Sequence, residues 1–253
     1  MFKNAIVCRP CRAIINGITT SLSGKPIYSL ALEQHSKYIE TLESLGLKVQ
    51  VLPEREMYPD STFIEDVALC TSLFAIVTRP ALSSRRGEIT GIREVLKEYF
   101  DIIEEISLPA TLEAGDVMMV GNHFFIGISN RTNAAGADQL INILGKYKLT
   151  ASKVHLNKML HLKSGVSYLE NNNLLVCGEF KETKEFEKYN RITIEEEEFY
   201  AANSLWINGK VIVPEGFPKT RKKIEKAGYE TLALNVSEFR KIDGGLSCLS
   251  LRF

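Results

Sequence analysis

A pair of short apolar segments separated by a polar break recurs four times along the chain, and this repeat constrains the fold more than any other feature. The apolar segments are rich in β-favouring residues. Each break has two or three residues rich in Asn, Gly or Ser, as is typical of a β-hairpin. The hairpins begin near residues 67, 117, 166 and 204, at intervals of 50, 49 and 38 residues. Repeats of this length are typical of propellers and arrays.

Most hairpins are followed by a segment with helical spacing of apolar residues and then by another short strand. The segment at 218–228 begins with Pro and ends at Gly, as helices prefer. Each unit therefore has the order ββαβ. Helices are predicted at 28–46, 87–100, 133–148 and 218–228.

The two ends of the chain supply the missing parts of a fifth unit. Segments 4–10 and 246–253 both have the composition of strands, and their pairing would close the array without exposed edges. The predicted fold class is α/β: a five-bladed α/β propeller of ββαβ repeats with pseudo-fivefold symmetry. One domain is predicted to cover 1–253. The alternative is an open α/β sheet built from the same elements.

The charge and the apolar segments limit the partners that the chain is expected to have. Lys plus Arg and Asp plus Glu each number 31 in 253 residues, so no basic excess indicates nucleic-acid binding. No apolar segment is long enough for a signal peptide or a membrane span. We therefore expect a cytoplasmic protein with neither a nucleic-acid nor a membrane partner. Its five unevenly spaced cysteines do not predict a disulfide framework.

Reactive side chains precede the first strand of several repeats. Asp66, Asp116, His161 and Cys248 each lie at this position, with Glu65 beside the first of them. Equivalent positions of a closed repeat array meet at one end of the array, so the sequence predicts that these residues share one cavity.

This set of side chains suits chemistry on a guanidinium group. Carboxylates bind such a planar cation through charge-assisted hydrogen bonds. Its carbon is a poor electrophile, so a thiolate such as that of Cys248 is the appropriate nucleophile. An imidazole such as that of His161 would protonate the leaving amine and then deprotonate water.

Each residue also has a simpler interpretation. A single cysteine in a terminal strand is usually an inert core residue, although the Gly-Gly turn before Cys248 would allow a ligand to approach the backbone. His161 alone is more often a structural hydrogen-bonding group. Asp116 either caps its turn or belongs to the site. Glu113 lies between apolar residues, so its burial is expected, and a buried acid needs a partner.

Across essentially the whole chain, the sequence resembles the dimethylarginine dimethylaminohydrolase family of guanidine-modifying (pentein) enzymes. The segments that carry this resemblance are GITTSLSGKP, PDSTFIED, SRRGE, LEAGD, SNRTNAAG, LHLKSG and KIDGGLSCLSLRF, in this order.

The resemblance implies a role for each site residue. Cys248 would be the nucleophile, His161 the general acid and then base, and Glu113 the partner of the histidine. Residues 17–24 would form a mobile lid. The substrate would be bound by Asp66 and Glu65 at the guanidinium, by Arg85 and Arg131 at the α-carboxylate, and by Ile18, Asp60, Phe63 and Ile242 at and around the α-amino group.

Lys163 departs from the deiminase pattern, in which an acid stands two residues after the histidine. Its presence favours a substrate with fewer N–H donors, so the predicted partner is a small-molecule methylated arginine. No cofactor and no metal ligand are predicted, and zinc, if bound, would inhibit by capturing the thiolate. The resemblance also allows a homodimer. The alternatives are an arginine or agmatine deiminase-type hydrolase or amidinotransferase, and a non-catalytic binding protein of the same fold.

Overall fold

The computed structural model describes residues 1–253, which form five separate three-stranded sheets. In every sheet the middle strand pairs antiparallel with one neighbour and parallel with the other. This is the pairing that a ββαβ unit produces, so the predicted repeat is confirmed and the single open sheet is wrong. The strands are β1 Asn4–Cys8, β2 Lys48–Leu52, β3 Ala68–Cys70, β4 Ala75–Val77, β5 Ile103–Glu105, β6 Val117–Val120, β7 His123–Ile128, β8 Thr150–His155, β9 Val166–Tyr168, β10 Asn173–Val176, β11 Asn190–Thr193, β12 Leu205–Ile207, β13 Lys210–Pro214, β14 Glu230–Leu234 and β15 Leu251–Arg252.

Three of the four predicted helices have nearly the expected bounds. The side chain of Asn133 caps the start of one of them by accepting a hydrogen bond from the Gly136 N–H at 2.8 Å. The α-helices are α1 Tyr28–Ser44, α2 Ile92–Leu96, α3 Ala134–Lys146, α4 Leu162–Gly165, α5 Pro218–Lys226 and α6 Ser237–Arg240.

The helix predicted at 87–100 is wrong over most of its length. Only α2 is α-helical there, and a 3-10 helix, Ser83–Ile89, precedes it. Gly91 has a φ of 83°, which separates the two. The 3-10 helix buries Arg85 and Glu88, so their ion pair replaces the apolar face that the spacing suggested.

The chain divides into two compact units. Unit 1 contains Met1–Ile64 and Asn203–Phe253, and unit 2 contains Glu65–Ala202. The sheets β15-β1-β2 and β12-β13-β14 belong to unit 1, and the other three belong to unit 2. The single domain expected over 1–253 stays a prediction. None of the helices has both the length and the apolar character needed to span a membrane.

In unit 1 the two ends of the chain pair, as predicted. Ala5 is opposite Arg252 and Ile6 is opposite Leu251 in antiparallel register. The expectation that Cys248 lies in this terminal strand is wrong. Cys248 is in a 3-10 turn, Ser247–Leu249, which lies just before β15.

In unit 2, β7 has apolar side chains on both faces. Phe124 and Ile126 pack in one buried cluster, and Phe125 packs in another on the opposite face. Ala114 belongs to the first cluster and Leu162 to the second. The core therefore fixes the two segments that carry Glu113 and His161.

Candidate active site

Three of the segments that precede hairpins in unit 2 bring their reactive side chains together. Asp66, Glu113 and His161 are buried, and they present ligand atoms that all lie within 4.8 Å of one another. Asp116 lies on the other edge of the imidazole, with its Oδ2 3.4 Å from Nδ1 of His161. We call these four residues the His161 cluster. The convergence expected from the repeat is therefore present within unit 2.

The sequence LEAGD fits this cluster because of its glycine. A Cβ at Gly115 would lie 2.9 Å from Oδ1 of Asp66 and 3.0 Å from Cγ of His161. The Gly115 N–H also donates to Oδ1 of Asp66 at 3.2 Å. A larger residue at Gly115 would separate the carboxylate from the ring.

The imidazole of His161 lies between carboxylates. Its Nε2 is 3.4 Å from Oε2 of Glu113 and 4.0 Å from Oδ1 of Asp66. Burial alone would lower the pKa of His161, but the charges of Asp116, Asp66 and Glu113 outweigh it and raise that pKa to about 9. The ring is therefore an imidazolium at neutral pH, as a general acid must be.

Arg85 links Asp66 to a further buried acid. Its Nη1 donates to Oδ2 of Asp66 at 2.7 Å, and its Nε and Nη2 donate to Glu88 at 3.0 and 2.8 Å. The pKa of Asp66 is lowered because the charges of Arg85 and His161 outweigh the effect of burial. Arg85 therefore already compensates two buried carboxylates. Its predicted contact with a substrate carboxylate stays a prediction.

Glu113 is completely buried and is approached from several sides. Its Oε1 accepts from the Ala81 N–H at 3.1 Å and lies 3.6 Å from Nη1 of Arg131. Burial and the charge of Asp66 raise the pKa of Glu113, against the opposing effect of His161 and Arg85. The structure thus places Glu113 beside Nε2 of the histidine, and its predicted catalytic role stays a prediction.

Lys163 pairs with Glu65. The Nζ of Lys163 donates to Oε1 of Glu65 at 2.6 Å, and both side chains are largely buried. The cation that distinguishes this sequence from the deiminase pattern therefore compensates one of the two acids predicted to bind the guanidinium.

The spacing of Asp66, Glu113 and His161 is one that a metal ion could bridge. Arg85 and Arg131 already lie within ion-pair distance of these carboxylates, at 2.7 Å from Asp66 and 3.6 Å from Glu113. A divalent cation would add positive charge beside two guanidinium groups. We therefore interpret the cluster as an acid/base group, and the absence of a metal ligand stays a prediction.

Unit 1 holds Cys248 on a tightly packed turn. The Gly245 N–H points toward Sγ of Cys248 at 3.4 Å, and the thiol is partly exposed. A Cβ at Gly244 would collide with the ring of Phe63, and one at Gly245 would lie 2.6 Å from Asn203. The two glycines make room for these protein side chains, and the approach of a ligand to this turn stays a prediction.

The other predicted substrate-binding residues of unit 1 lie near the segment that begins at Gly17. Asp60 is buried, and its Oδ1 accepts from the Ile18 N–H at 3.0 Å. Ile18 itself is 36% exposed. Ile242 is buried, and a Cβ at Gly17 would lie 3.1 Å from its side chain. Their roles in binding stay predictions.

Sequence reasoning missed three residues that support these groups. Glu88 stands three residues after Arg85, a spacing that could have indicated an ion pair. Ser129 donates to Asp116, and Asn203 holds Ser247 beside the nucleophile candidate. Ser129 begins the segment SNRTNAAG, but the resemblance assigned it no role, and Asn203 lies outside the segments that carry the resemblance.

Five three-stranded ββαβ repeats and a buried imidazole–carboxylate cluster place the chain in the pentein class of guanidine-modifying proteins. Residues 5–249 match the family model described as N,N dimethylarginine dimethylhydrolase, eukaryotic. The N(G),N(G)-dimethylarginine dimethylaminohydrolase of Pseudomonas aeruginosa is 52% identical over 254 residues, and the match covers 100% of both chains. The enzyme of that name from Streptomyces coelicolor is 31% identical over 99% of this chain and 96% of its own. The chain belongs to the dimethylarginine dimethylaminohydrolase family, as its motifs predicted.

Solved structures confirm the predicted fold class of a five-bladed α/β propeller. The Pseudomonas aeruginosa enzyme, in a mutant complexed with citrulline, matches with a TM-score of 0.99 at 52% identity over 100% of both chains. The N-terminal domain of ArgZ, a cyanobacterial arginine dihydrolase, matches with a TM-score of 0.88 at 20% identity, over 98% of this chain and 96% of that one. The second likeness is one of fold alone.

Proposed function

We propose that the protein hydrolyses Nω-methylated L-arginine, dimethyl or monomethyl, to L-citrulline and dimethylamine or methylamine. The observation that carries this proposal is membership of the family, with a relative named for this activity that is 52% identical over the full length. That relative has been solved with citrulline, the amino acid that this reaction would release. The enzyme is thus a hydrolase acting on a C–N bond of a linear amidine.

The reaction has two halves, which share one nucleophile. The thiolate of Cys248 attacks the guanidinium carbon, and a C–S bond forms. The C–N bond to the methylated nitrogen then breaks, and His161 supplies the proton with which the amine leaves. This gives an S-alkylthiouronium intermediate. Water then gives one proton to His161 and attacks the same carbon. The C–S bond breaks as the new hydroxyl loses its proton to the released amine or to solvent, which gives citrulline and regenerates the thiolate and the imidazolium.

The charges around the His161 cluster suit a cationic substrate. With the imidazole protonated and all four carboxyl groups ionised, this part of unit 2 has one more negative than positive group. A buried charge needs a counter-charge, so the excess favours a cation. A substrate guanidinium would balance the excess. The groups are the carboxylates of Asp66, Glu88, Glu113 and Asp116, the guanidiniums of Arg85 and Arg131, and the imidazolium of His161.

Release of citrulline from dimethylarginine by the purified chain tests the function. Cys248→Ser is expected to abolish it, because the hydroxyl is a much weaker nucleophile than the thiolate. Cys70→Ala is the matched control, since Cys70 is a buried thiol of β3, and this variant should keep most of the activity. Full activity in Cys248→Ser would refute the mechanism.

The two roles of His161 can be separated with S-methyl-L-thiocitrulline. Its leaving group, methanethiol, departs without a general acid, so a His161→Gly variant should form the covalent intermediate but hydrolyse it slowly. Mass spectrometry should then find the adduct on the peptide that contains Cys248. An adduct with S-methyl-L-thiocitrulline has been solved for a dimethylarginine dimethylaminohydrolase that is 52% identical to this chain. Rapid turnover by the variant would contradict the base role.

The alternative substrates are tested in the same assay. Unmodified arginine and agmatine should be turned over more slowly than dimethylarginine. Comparable rates with arginine would favour a deiminase-type hydrolase. Retention of citrulline formation in excess chelator would support the absence of a metal cofactor, and added zinc should inhibit.

Location and assembly are separate proposals. We propose a cytoplasmic protein, on the basis of the sequence, and a homodimer, on the basis of the family resemblance. Fluorescence microscopy of a tagged chain would test the first. Light scattering of the purified protein would test the second, and a monomeric mass at micromolar concentration would contradict it.

A further inference from the structure

Asp116 has a set of contacts that its position in the sequence does not reveal. It is completely buried, and both of its oxygens face hydrogen-bond donors. Oδ1 accepts from the Leu162 N–H at 3.0 Å, and Oδ2 accepts from the Ser129 hydroxyl at 2.7 Å. Asp116 therefore holds the backbone directly after His161.

The direction of the Ser129 hydrogen bond follows from the other contacts of that hydroxyl. The Oγ of Ser129 accepts from the N–H groups of Arg131 and Thr132 at 2.9 and 3.2 Å. Its lone pairs are thereby occupied, so its own proton points to Asp116. Asp116 therefore accepts a hydrogen bond at each of its two oxygens.

This arrangement determines which ring nitrogen of His161 carries the permanent proton. Nδ1 is buried and lies 3.4 Å from Oδ2 of Asp116 without forming a hydrogen bond in this structure. A carboxylate oxygen only accepts, so it favours a proton on the nitrogen that it faces. In a free enzyme such a contact is commonly longer than in the substrate complex. The opposite nitrogen, Nε2, is 3.4 Å from Oε2 of Glu113, whose pKa is raised by burial and by the charge of Asp66.

The packing leaves little freedom for any other arrangement. A Cβ at Gly127 would lie 3.0 Å from Oδ1 of Asp116, and one at Gly115 would lie 3.0 Å from the ring of His161. Two glycines in different segments of unit 2 thus make room for the carboxylate and for the ring.

We propose that Asp116 is a positioning residue that keeps a proton on Nδ1 of His161, so that Nε2 alone exchanges protons during the reaction. The effect of this tautomer on catalysis rests on the proposed function. The tautomer itself is a property of the free protein and can be measured without substrate. Ser129 belongs to the same device, because it aligns Asp116.

Two other carboxylates and two guanidinium groups also affect the protonation of the His161 ring. Asp66 approaches from the turn before β3, and Glu113 from the segment before β6; both face Nε2. Arg85 and Arg131 contact those two carboxylates and moderate their effect. Of the carboxylates at ion-pair distance from the ring, Asp116 is the one that faces Nδ1.

The experiment is ¹⁵N NMR of histidine-labelled protein, which needs no substrate. The chain has four histidines, and a His161→Gln spectrum identifies the signals of His161. In the wild type, the neutral ring should be the Nδ1–H tautomer. In Asp116→Asn this preference should disappear, and the titration midpoint should fall by about 1–3 pH units. In Glu113→Gln the midpoint should fall while the tautomer is retained.

A second pair of variants covers the case in which Asp116→Asn does not fold. Ser129→Ala should weaken the Nδ1–H preference, and Ser129→Thr, which keeps the hydroxyl, should restore it. In the activity assay, Asp116→Asn should lower kcat by about 10²–10⁴-fold with little change in KM. The proposal would be overturned if the tautomer were unchanged in both Asp116→Asn and Ser129→Ala, whatever the activity. If Asp116→Asn does not fold, an unchanged tautomer in Ser129→Ala alone would overturn it.

Discussion

The Nζ of Lys163 lies 2.6 Å from Oε1 of Glu65 and compensates its charge within unit 2. One oxygen of Glu65 is therefore engaged by the protein. A substrate that carries methyl groups has fewer N–H donors to satisfy. With Glu65 at the substrate guanidinium, as the resemblance implies, we propose that this pair favours a methylated guanidinium over an unsubstituted one.

Replacing Lys163 by Met is expected to change the preference between substrates. Oε1 of Glu65 would lose the ammonium donor of Lys163, and arginine has N–H donors that dimethylarginine lacks. A hydrogen bond to a charged group is worth roughly 1.5–3 kcal/mol, so the ratio of kcat/KM for arginine to that for dimethylarginine should rise by about tenfold or more. Competition assays with both substrates would measure it.

Lys163→Arg is the matched control, because it keeps the cation. Its preference should stay close to that of the wild type. An unchanged ratio in Lys163→Met would show that the pair has no part in selecting the substrate.

Removing Arg85 should destabilise the fold. Arg85→Ala removes the guanidinium that contacts the buried carboxylates of both Asp66 and Glu88. Breaking such a pair costs about 3–5 kcal/mol in the free energy of unfolding. Urea unfolding would measure the loss.

Arg131→Ala provides the comparison. Arg131 is less engaged, with its Nη1 3.6 Å from Glu113. Its loss should raise KM more than it lowers stability, if Arg131 binds the substrate carboxylate. A variant Arg85→Ala as stable as Arg131→Ala would contradict the structural role of Arg85.

The stability of the protein should depend on the protonation of His161. The pKa of this ring is raised from its ordinary 6.5 to about 9. A raised pKa means that the stabilisation is fully present below pH 6.5 and is lost as the pH rises through 9. The difference corresponds to about 3 kcal/mol.

Urea unfolding between about pH 6 and pH 9.5 would measure this loss in the wild type. His161→Gln should lack it, because the amide does not titrate, and the difference between the two proteins isolates the ring. Parallel pH dependences would mean that His161 is not an imidazolium in the folded protein.

The turn before Cys248 should not tolerate a side chain. Gly244→Ala would push a methyl group into the ring of Phe63, and overpacking of this kind costs about 1–3 kcal/mol. Gly145→Ala is the control, because Gly145 lies in α3 with open space around it and should gain roughly 0.5–1 kcal/mol. Equal melting temperatures for both variants would contradict the packing at Gly244.

Sequence patterns predicted the elements that depend on local chemistry. The turn at Asn208–Gly209, with φ of 48° and 100°, is an Asn-Gly hairpin of the kind that the pattern indicated. The failures occurred where distant side chains decide the conformation. Residues 87–91 have helical spacing, but burial of the Arg85–Glu88 pair requires a 3-10 helix there.

The candidate site shows the same distinction between what local sequence patterns predict and what tertiary contacts decide. Position within the repeat was sufficient to predict that Asp66, Asp116 and His161 lie together in unit 2, whereas Glu113 was indicated by the family resemblance. It could not assign the edge of the ring that each carboxylate faces. That choice depends on Ser129 and on the space left by Gly115 and Gly127, all of which are tertiary contacts.

The contact between Arg85 and Asp66 has a practical consequence for the choice of denaturant. The head group that Asp66 holds at 2.7 Å is chemically the guanidinium ion itself. Guanidinium chloride supplies the same cation that these carboxylates bind, so its effect on the ion pair would add to its general denaturing effect. Folding measurements on this family member should use an uncharged agent.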